Sequence, residues 1–388
     1  MSPPIRIGFV MHVMQVAGAE VLVERMIEEL SDQIEPTIFC LDAIGTIGER
    51  LRDAGVPVVV LGRRPGLDWS LASRFATEIS QRRIEILHAH QYTPFFYSAL
   101  ARLRGAKAKI LFTEHGRHYP DVISAKRRWA NRLLLSRFAD RSTACCAFSA
   151  AAIRDIEGFG SCDVLPNGVP LDDLPPRGDA AEQIALRQRL GLSPDSRYVA
   201  CIARFHPVKD HPTLLRGWAE LIQQLPDKAL ATGQSQPDVK LLLVGDGPER
   251  PQLESLCREL GIVDSVNFLG IRRDVADILR AVDVFTLTSV SEAASLTLLE
   301  AMASECPPVV TDVGGNGEHL TDGIEGRLVP RGDATALATA LADLIVNPEV
   351  AQQYGQAARG RVLRQFDLKS AVAAYALIYR QLADRPTP

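Results

Sequence analysis

The chain has 388 residues, 46% hydrophobic and 23% charged, with a formal net charge of −4. Such a balance describes an ordinary globular protein of two to three domains, and no basic and aromatic interleaving argues for nucleic acid. Seven cysteines without a CxxC pair suggest neither a zinc site nor a disulfide framework, and no apolar stretch reaches the roughly 18 residues of a spanning helix.

The first half opens with an apolar strand, Ile5 to Val10, followed by Ala17-Gly18-Ala19-Glu20, which begins a helical pattern through Leu30. That turn would bring backbone amides close to a ligand, with Gly18 as the close-approach residue. GxGxxG is absent, so the turn is not a dinucleotide fingerprint. Further short apolar strands are predicted over Thr37 to Leu41, Val58 to Leu61, Ile84 to Ala89 and Lys109 to Thr113. His88 and His90 at the end of one strand read as cleft lining, and His115 and His118 follow the next. Between Arg102 and Arg141 basic residues stand close to Trp129, Leu133, Leu134 and Phe138. The pattern suits either a helix with a solvated basic face or one lying on anionic lipid.

Val169 to Asp195, rich in proline and holding one modest helical run, reads as the domain boundary. The second half repeats the alternation with strands at Tyr198 to Ala203, Val239 to Gly245, Val266 to Leu269, Asp283 to Leu287 and Pro308 to Thr311. Short strands alternating with helices in both halves predict two doubly wound parallel sheets. The expected domains are 1–175 and 176–367, with a final apolar helix in 368–388. Gln234 to Asp238 reads as a surface loop insertion. The cysteines, several of them inside apolar strands, point to a reducing cytoplasm, and no signal peptide is visible in this sequence.

Thr286 to Gly326 holds the most chemistry. A strand leads through a polar loop carrying Glu292 into a helical run, Ser295 to Ser304, with Glu300 in its second turn. Amides near Ser295 and Leu296 would be the unpaired donors of a helix N-terminus, favourable for phosphate, and the two carboxylates would bracket it. A nucleotide sugar has this shape, with hydroxyls at both ends and a diphosphate between them. The plainer reading is a cap and a solvated helix face.

The run Ser289, Glu292, Leu296, Leu299, Glu300, Ala301, Met302, Ala303, Pro307, Val309, Thr311, Gly314, Gly315, Glu318, Gly323, Gly326, Val329 and Pro330 resembles the donor-site signature of retaining glycosyltransferase family 4. Arg204 and Lys209 after a strand resemble the family's diphosphate-binding pair, and Asn167-Gly168-Val169 resembles its hinge-side motif. The resemblance implies a GT-B fold, two Rossmann-like domains facing each other across a cleft, with the last helix crossing back to the first. It also implies that Arg204, Lys209, Ser295 and Leu296 bind the diphosphate and Glu300 the nucleoside ribose. Glu292 would hold sugar hydroxyls with His115 near the reacting face, and Gly18, Gly314 and Gly315 would form the donor and acceptor loops. No cofactor or metal is implied, since side chains supply the cations. The expected partners are a nucleotide-sugar donor and an unidentified glycan or lipid-linked acceptor, with the inner membrane surface as a peripheral contact.

One departure stands out: Ala293, Ala294 and Ser295 occupy positions where the family commonly has glycines and an aromatic residue, a less permissive backbone. Two other functions remain open. A nucleotide-sugar epimerase would use the same scaffold, and a non-catalytic binding protein would keep Arg204 and Glu300 without turnover.

Overall fold

A computed structural model describes residues 3–15, 18–116, 123, 125–231, 233 and 235–384. Ala17, His118 and Gln234, singled out above, lie outside them. The chain divides into two compact units, Met1–Asn167 with Lys369–Pro388, and Gly168–Leu368.

The first unit is built on a seven-stranded sheet: β1 (Ile5–Val13), β2 (Ile34–Ala43), β3 (Val58–Val60), β4 (Ile86–His90), β5 (Lys109–Glu114), β6 (Arg141–Ala144) and β7 (Asp163–Val164). Their spatial order is β3-β2-β1-β4-β5-β6-β7, and every pair is parallel. The second unit has a six-stranded sheet: β8 (Arg197–Ile202), β9 (Val239–Val244), β10 (Val266–Gly270), β11 (Val284–Leu287), β12 (Pro308–Thr311) and β13 (Arg327–Val329). Its order is β10-β9-β8-β11-β12-β13, again all parallel. Helices cover both faces of such sheets, which is why the central strands read as unbroken apolar runs. Ile7, Phe9, Leu241, Leu242, Leu243 and Phe285 are all fully buried.

In each sheet the strand order reverses beside the first strand, at β1/β4 and at β8/β11. Ligands of open parallel sheets bind beyond the carboxyl ends of the strands at such a reversal. Gly18 follows β1, Arg204 follows β8, and Glu292 follows β11. Topology alone thus draws attention to these positions.

The crossing between units lies at Asn167/Gly168, earlier than the 175/176 expected, because the next residues are integral to the second unit. Val169 and Leu174 are buried in its core. Val169 N–H donates to Phe366 O at 2.9 Å, and Leu368 N–H donates back to Val169 O at 3.1 Å. A Cβ on Gly168 would stand 2.4 Å from Leu368 Cα, so only glycine lets these two segments run together. The proline-rich stretch beyond is also no free linker. Its helix Ala180–Arg189 is capped by Asp179, and buried Arg187 donates to Ala281 O, Pro194 O, Ser196 O and the Asp283 carboxylate. The final helix, Leu368–Ala383, groups with the first unit from Lys369 onward.

Candidate functional site

In the second unit β8 delivers Arg204 and then a single helical turn, Pro207–Lys209, closed by Asp210 in the left-handed region at φ 46°. Gly245 and Gly247 let the end of β9 pack on this segment. A Cβ would meet Ala203 O at 2.1 Å from Gly245 and Phe205 O at 2.3 Å from Gly247. Arg204 is exposed and has no side-chain partner among the described residues. An unpaired guanidinium held on a glycine-braced strand end is suited to bind an anion.

Lys209 instead makes an ion pair with Glu292 Oε1. Ser289 Oγ donates to the same oxygen at 2.6 Å, and Oε2 has no partner among the described residues. The Glu292 loop is pinned from both sides. Val290 N–H donates to Val208 O at 2.9 Å, and Gly315 N–H donates to Glu292 O at 3.1 Å. Gly314, at φ 53°, is pressed so close that a Cβ would stand 1.7 Å from Glu292 O. The glycine pair expected to serve a ligand loop therefore also acts as the backbone brace of Glu292.

Beyond the loop, Ser295 caps the helix Leu296–Ala303, its Oγ accepting from Leu298 N–H at 3.4 Å. The helix packs through Leu298, Leu299, Ala301, Met302 and Ala303, which turns Glu300 to the partly open side. Glu300 is only partly covered, yet the surrounding protein is dense enough that burial pushes its carboxyl up to about 7. No residue in the loop from Ala293 to Ser295 has a positive φ. Loss of the family's glycines there imposes no backbone strain.

Two buried side chains in this unit were not singled out from the sequence as ligand groups. Asn316 donates through Nδ2 to Thr311 O at 2.9 Å while its Oδ1 lacks a partner. His319 is also buried with Nδ1 unpartnered, and burial holds its pKa below the usual histidine value. A polar residue inside an apolar strand-to-helix turn was the available signal. A cavity of about 300 Å³ in the same unit is walled by Arg177, Arg197, Asp283 and Glu305 among others, and holds none of the predicted site residues. Its charges are mutually matched, Asp283 pairing with Arg177, Arg187 and Arg197.

In the first unit Gly18 starts the helix Gly18–Glu29, and burial raises the carboxyl of Glu20 in its first turn. His115 directly follows β5. Its Nε2 shares a 2.7 Å hydrogen bond with His90 Nδ1, the two rings lying within 7° of parallel. The sequence reading made His88 and His90 cleft lining, and the structure buries both instead. They are 0% and 1% exposed, because both belong to a strand flanked on each side in the sheet centre, and Tyr375 and Tyr379 of the last helix pack on His88. Tyr379 OH lies 2.6 Å from His88 Nδ1, and Thr113 Oγ1 lies 2.7 Å from His88 Nε2. Burial holds His88 and His90 neutral, far below the usual histidine value, and lowers His115 to about 4. The Asn167 side chain is near enough to favour the charged form of His115, but among the described residues neither His115 Nδ1 nor Asn167 Oδ1 completes a hydrogen bond.

The basic segment of this unit forms the helix Ala125–Leu133 and the turn Leu135–Phe138. Arg127 faces inward, pairing with buried Glu157 and lying 3.6 Å over the Tyr92 ring. Lys126, Arg128, Arg132 and Arg137 are exposed without partners among the described residues, beside Trp129, Leu133 and Leu134 at 68%, 44% and 49% exposure. No single helix among the described residues is long and apolar enough to cross a membrane.

Comparison with known proteins agrees with both units. The pattern of "Glycosyl transferases group 1" matches residues 182–361, and that of "Glycosyltransferase Family 4" matches 16–173. The chain is 30% identical to N-acetyl-alpha-D-glucosaminyl L-malate synthase of Bacillus anthracis, over 81% of this chain and 79% of that one. It is also 30% identical to the GDP-mannose-dependent alpha-(1-6)-phosphatidylinositol monomannoside mannosyltransferase of Mycolicibacterium smegmatis, over 79% of each. Among solved structures, Anabaena HepE in complex with UDP superposes with a TM-score of 0.83 at 22% identity, covering 97% of this chain and 100% of the other. A glycosyltransferase of Rickettsia africae superposes with a TM-score of 0.82 at 19% identity, over 99% and 100%. The chain belongs to the group 1 glycosyltransferases of family 4, built on the GT-B fold.

Proposed function

We propose that this glycosyltransferase moves a hexosyl-type sugar, with retention, from a nucleoside diphosphate sugar to an acceptor hydroxyl in glycan, polysaccharide or glycolipid biosynthesis. The observation that carries the donor half is the unpaired Arg204 beside the Lys209–Glu292 pair at the strand reversal, followed on the next helix by Glu300 with a raised pKa. At the anomeric carbon the bond to the diphosphate oxygen breaks and one to the acceptor oxygen forms on the same face, with the acceptor's hydroxyl proton passing to the departing diphosphate. Negative charge grows on the departing diphosphate, and a preorganised donor is worth roughly 3–4 kcal/mol there. Arg204 and Lys209 are assigned that task, helped by the amides at Ser295 and Leu296. Glu292 Oε2 takes sugar hydroxyls, Glu300 takes the ribose diol, and His115 serves the transferred sugar. The carboxylate-pair logic of glycosidases does not transfer to Glu292 and Glu300, one held by a lysine and the other turned to the nucleoside.

Related proteins narrow the donor panel: one relative is named GDP-mannose-dependent, and the Anabaena structure holds UDP. Calorimetry and thermal shift with uridine, guanosine and adenosine diphosphates and their sugars, on wild type, Arg204→Ala and Glu300→Ala, test the reading. One base should stand out and both substitutions should remove it. Failure of every nucleotide to bind wild type would sink it.

For the acceptor side we assign the exposed face of Lys126, Arg128, Trp129, Arg132, Leu133, Leu134 and Arg137 to an anionic lipid surface. Four cations without partners among the described residues, interleaved with three large apolar side chains, match the charge and polarity of such a surface.

A further inference from the structure

The imidazoles of His88 and His90 within β4 and of His115 just after β5 form a row, braced at one end by Tyr379 of the last helix. The His88 and His90 ring centroids are 4.0 Å apart. At the other end His115 Nδ1 and Asn167 Oδ1 are buried without partners among the described residues, Asn167 being 6% exposed, and the same holds for His90 Nε2.

Both imidazoles of the His90–His115 pair are neutral, so their single hydrogen bond allows two proton arrangements. If His115 donated from Nε2, His90 would carry its own proton on Nε2, a buried N–H with no acceptor, and His115 would turn a lone pair toward the Asn167 carbonyl. If His90 donates from Nδ1, its bare Nε2 is an unpaired acceptor only, and His115 carries Nδ1–H beside Asn167 Oδ1. An orphaned buried N–H is the costlier defect, which favours the second arrangement.

We propose that His90 is a positioning residue for His115. Its Nδ1–H donates to His115 Nε2 and holds His115 as the Nδ1–H tautomer, so that His115 and Asn167 offer one N–H donor and one carbonyl acceptor to a single sugar hydroxyl. A hydroxyl satisfies both at once, accepting from the imidazole and donating to the amide oxygen. The last helix acts on this pair at one remove, because Tyr379 fixes the ring against which His90 packs. The inference rests on the assignment of His115 to the transferred sugar.

The test joins selective 15N-histidine NMR to steady-state kinetics. In wild type without ligand, the His115 signals, assigned with His115→Gln, should report a protonated Nδ1 and a bare Nε2. His90→Phe should mix the tautomers and lower kcat by roughly 10- to 100-fold, a range seen when a histidine ligand loses its orienting partner, with the donor KM little changed. His90→Asn keeps a donor at the Nδ1 position and should restore at least tenfold of that loss. A wild-type His115 protonated on Nε2, a wild-type kcat in His90→Phe, or no recovery in His90→Asn would each overturn the proposal. Absence of turnover in wild type with every nucleotide sugar would count against the transfer reading instead, while the tautomer still decides the role of His90.

Discussion

Replacing Glu300 by glutamine should stabilise the protein and disable it at once. Burial raises the carboxyl from its ordinary 4.5 to about 7, so between those values the folded state binds more protons than the unfolded chain. Stability then falls as pH rises through that window, from no penalty well below 4.5 to the full penalty above 7. The gap corresponds to about 3 kcal/mol once both states are ionised. Partial exposure of Glu300 screens this to about 1–2 kcal/mol. Urea unfolding of wild type and Glu300→Gln at about pH 5 and about pH 8 reads it directly. The difference between the two proteins should widen in favour of the variant by about 1–2 kcal/mol at the higher pH. A difference that does not change with pH would refute the reasoning. On the ligand side, a carboxylate that accepts two hydrogen bonds from a ribose diol is favoured in its charged form. Nucleotide binding at pH 7 should therefore release about half a proton, measurable by calorimetry in buffers of different ionisation enthalpy, and Glu300→Gln should release none.

Arg204→Ala should leave the melting temperature unchanged, since the side chain has no partner among the described residues, and lower kcat/KM by a factor on the order of 100 or more. An equal fall in stability would show that the arginine is structural. Gly314→Ala must move the Glu292 backbone out of a 1.7 Å overlap, whereas Gly323→Ala at φ 74° meets nothing within 4 Å and costs only left-handed strain of about 1–2 kcal/mol. Equal losses in unfolding free energy and activity for the two would deny Gly314 its role as a brace. Reversal of Lys126, Arg128 and Arg132 to glutamate should abolish flotation with phosphatidylglycerol vesicles at about 0.1 M salt, and binding to neutral vesicles should be weak throughout. Tight binding to neutral vesicles would contradict the electrostatic part of that assignment.

Strands buried on both faces were legible because a parallel sheet writes them as continuous apolar runs, and β12 came out at the predicted bounds. β6, β7 and β13 were not, since Arg141-Ser142-Thr143-Ala144 is mostly polar and the others have only two and three residues. The ion pair at the β8/β11 reversal joins Lys209 and Glu292, 83 positions apart, and no periodicity announces it. His90 was visible as a strand-end histidine, but its burial comes from neighbours far apart in sequence, Phe9 on β1 and His115 after β5, which no periodicity pairs with it. That the backbone at Ala293, Ala294 and Ser295 needs no glycine was also not legible in the sequence, because it depends on φ angles, none of which is positive there.

The charge arrangement at the β8/β11 reversal suggests how a donor would be accommodated. Lys209 is neutralised by Glu292, and Glu300 is about half protonated near pH 7, so the cationic character left over belongs chiefly to Arg204. A diphosphate arriving there would meet one committed cation and one that can be recruited. Lys209 can swing to phosphate only if Glu292 finds other donors, and Ser289 already supplies one of them to Oε1. Sugar hydroxyls on the ligand would supply the rest. Phosphate and sugar would then be bound cooperatively: the nucleoside diphosphate alone would have to strip Glu292 of its lysine with nothing in return, at a cost on the order of 1–3 kcal/mol for a largely buried carboxylate. Glu292→Gln frees Lys209 in advance. It should therefore tighten binding of the plain nucleoside diphosphate while weakening the nucleotide sugar, two shifts of opposite sign in one calorimetric comparison. Parallel shifts for both ligands would mean that the lysine and the glutamate act independently.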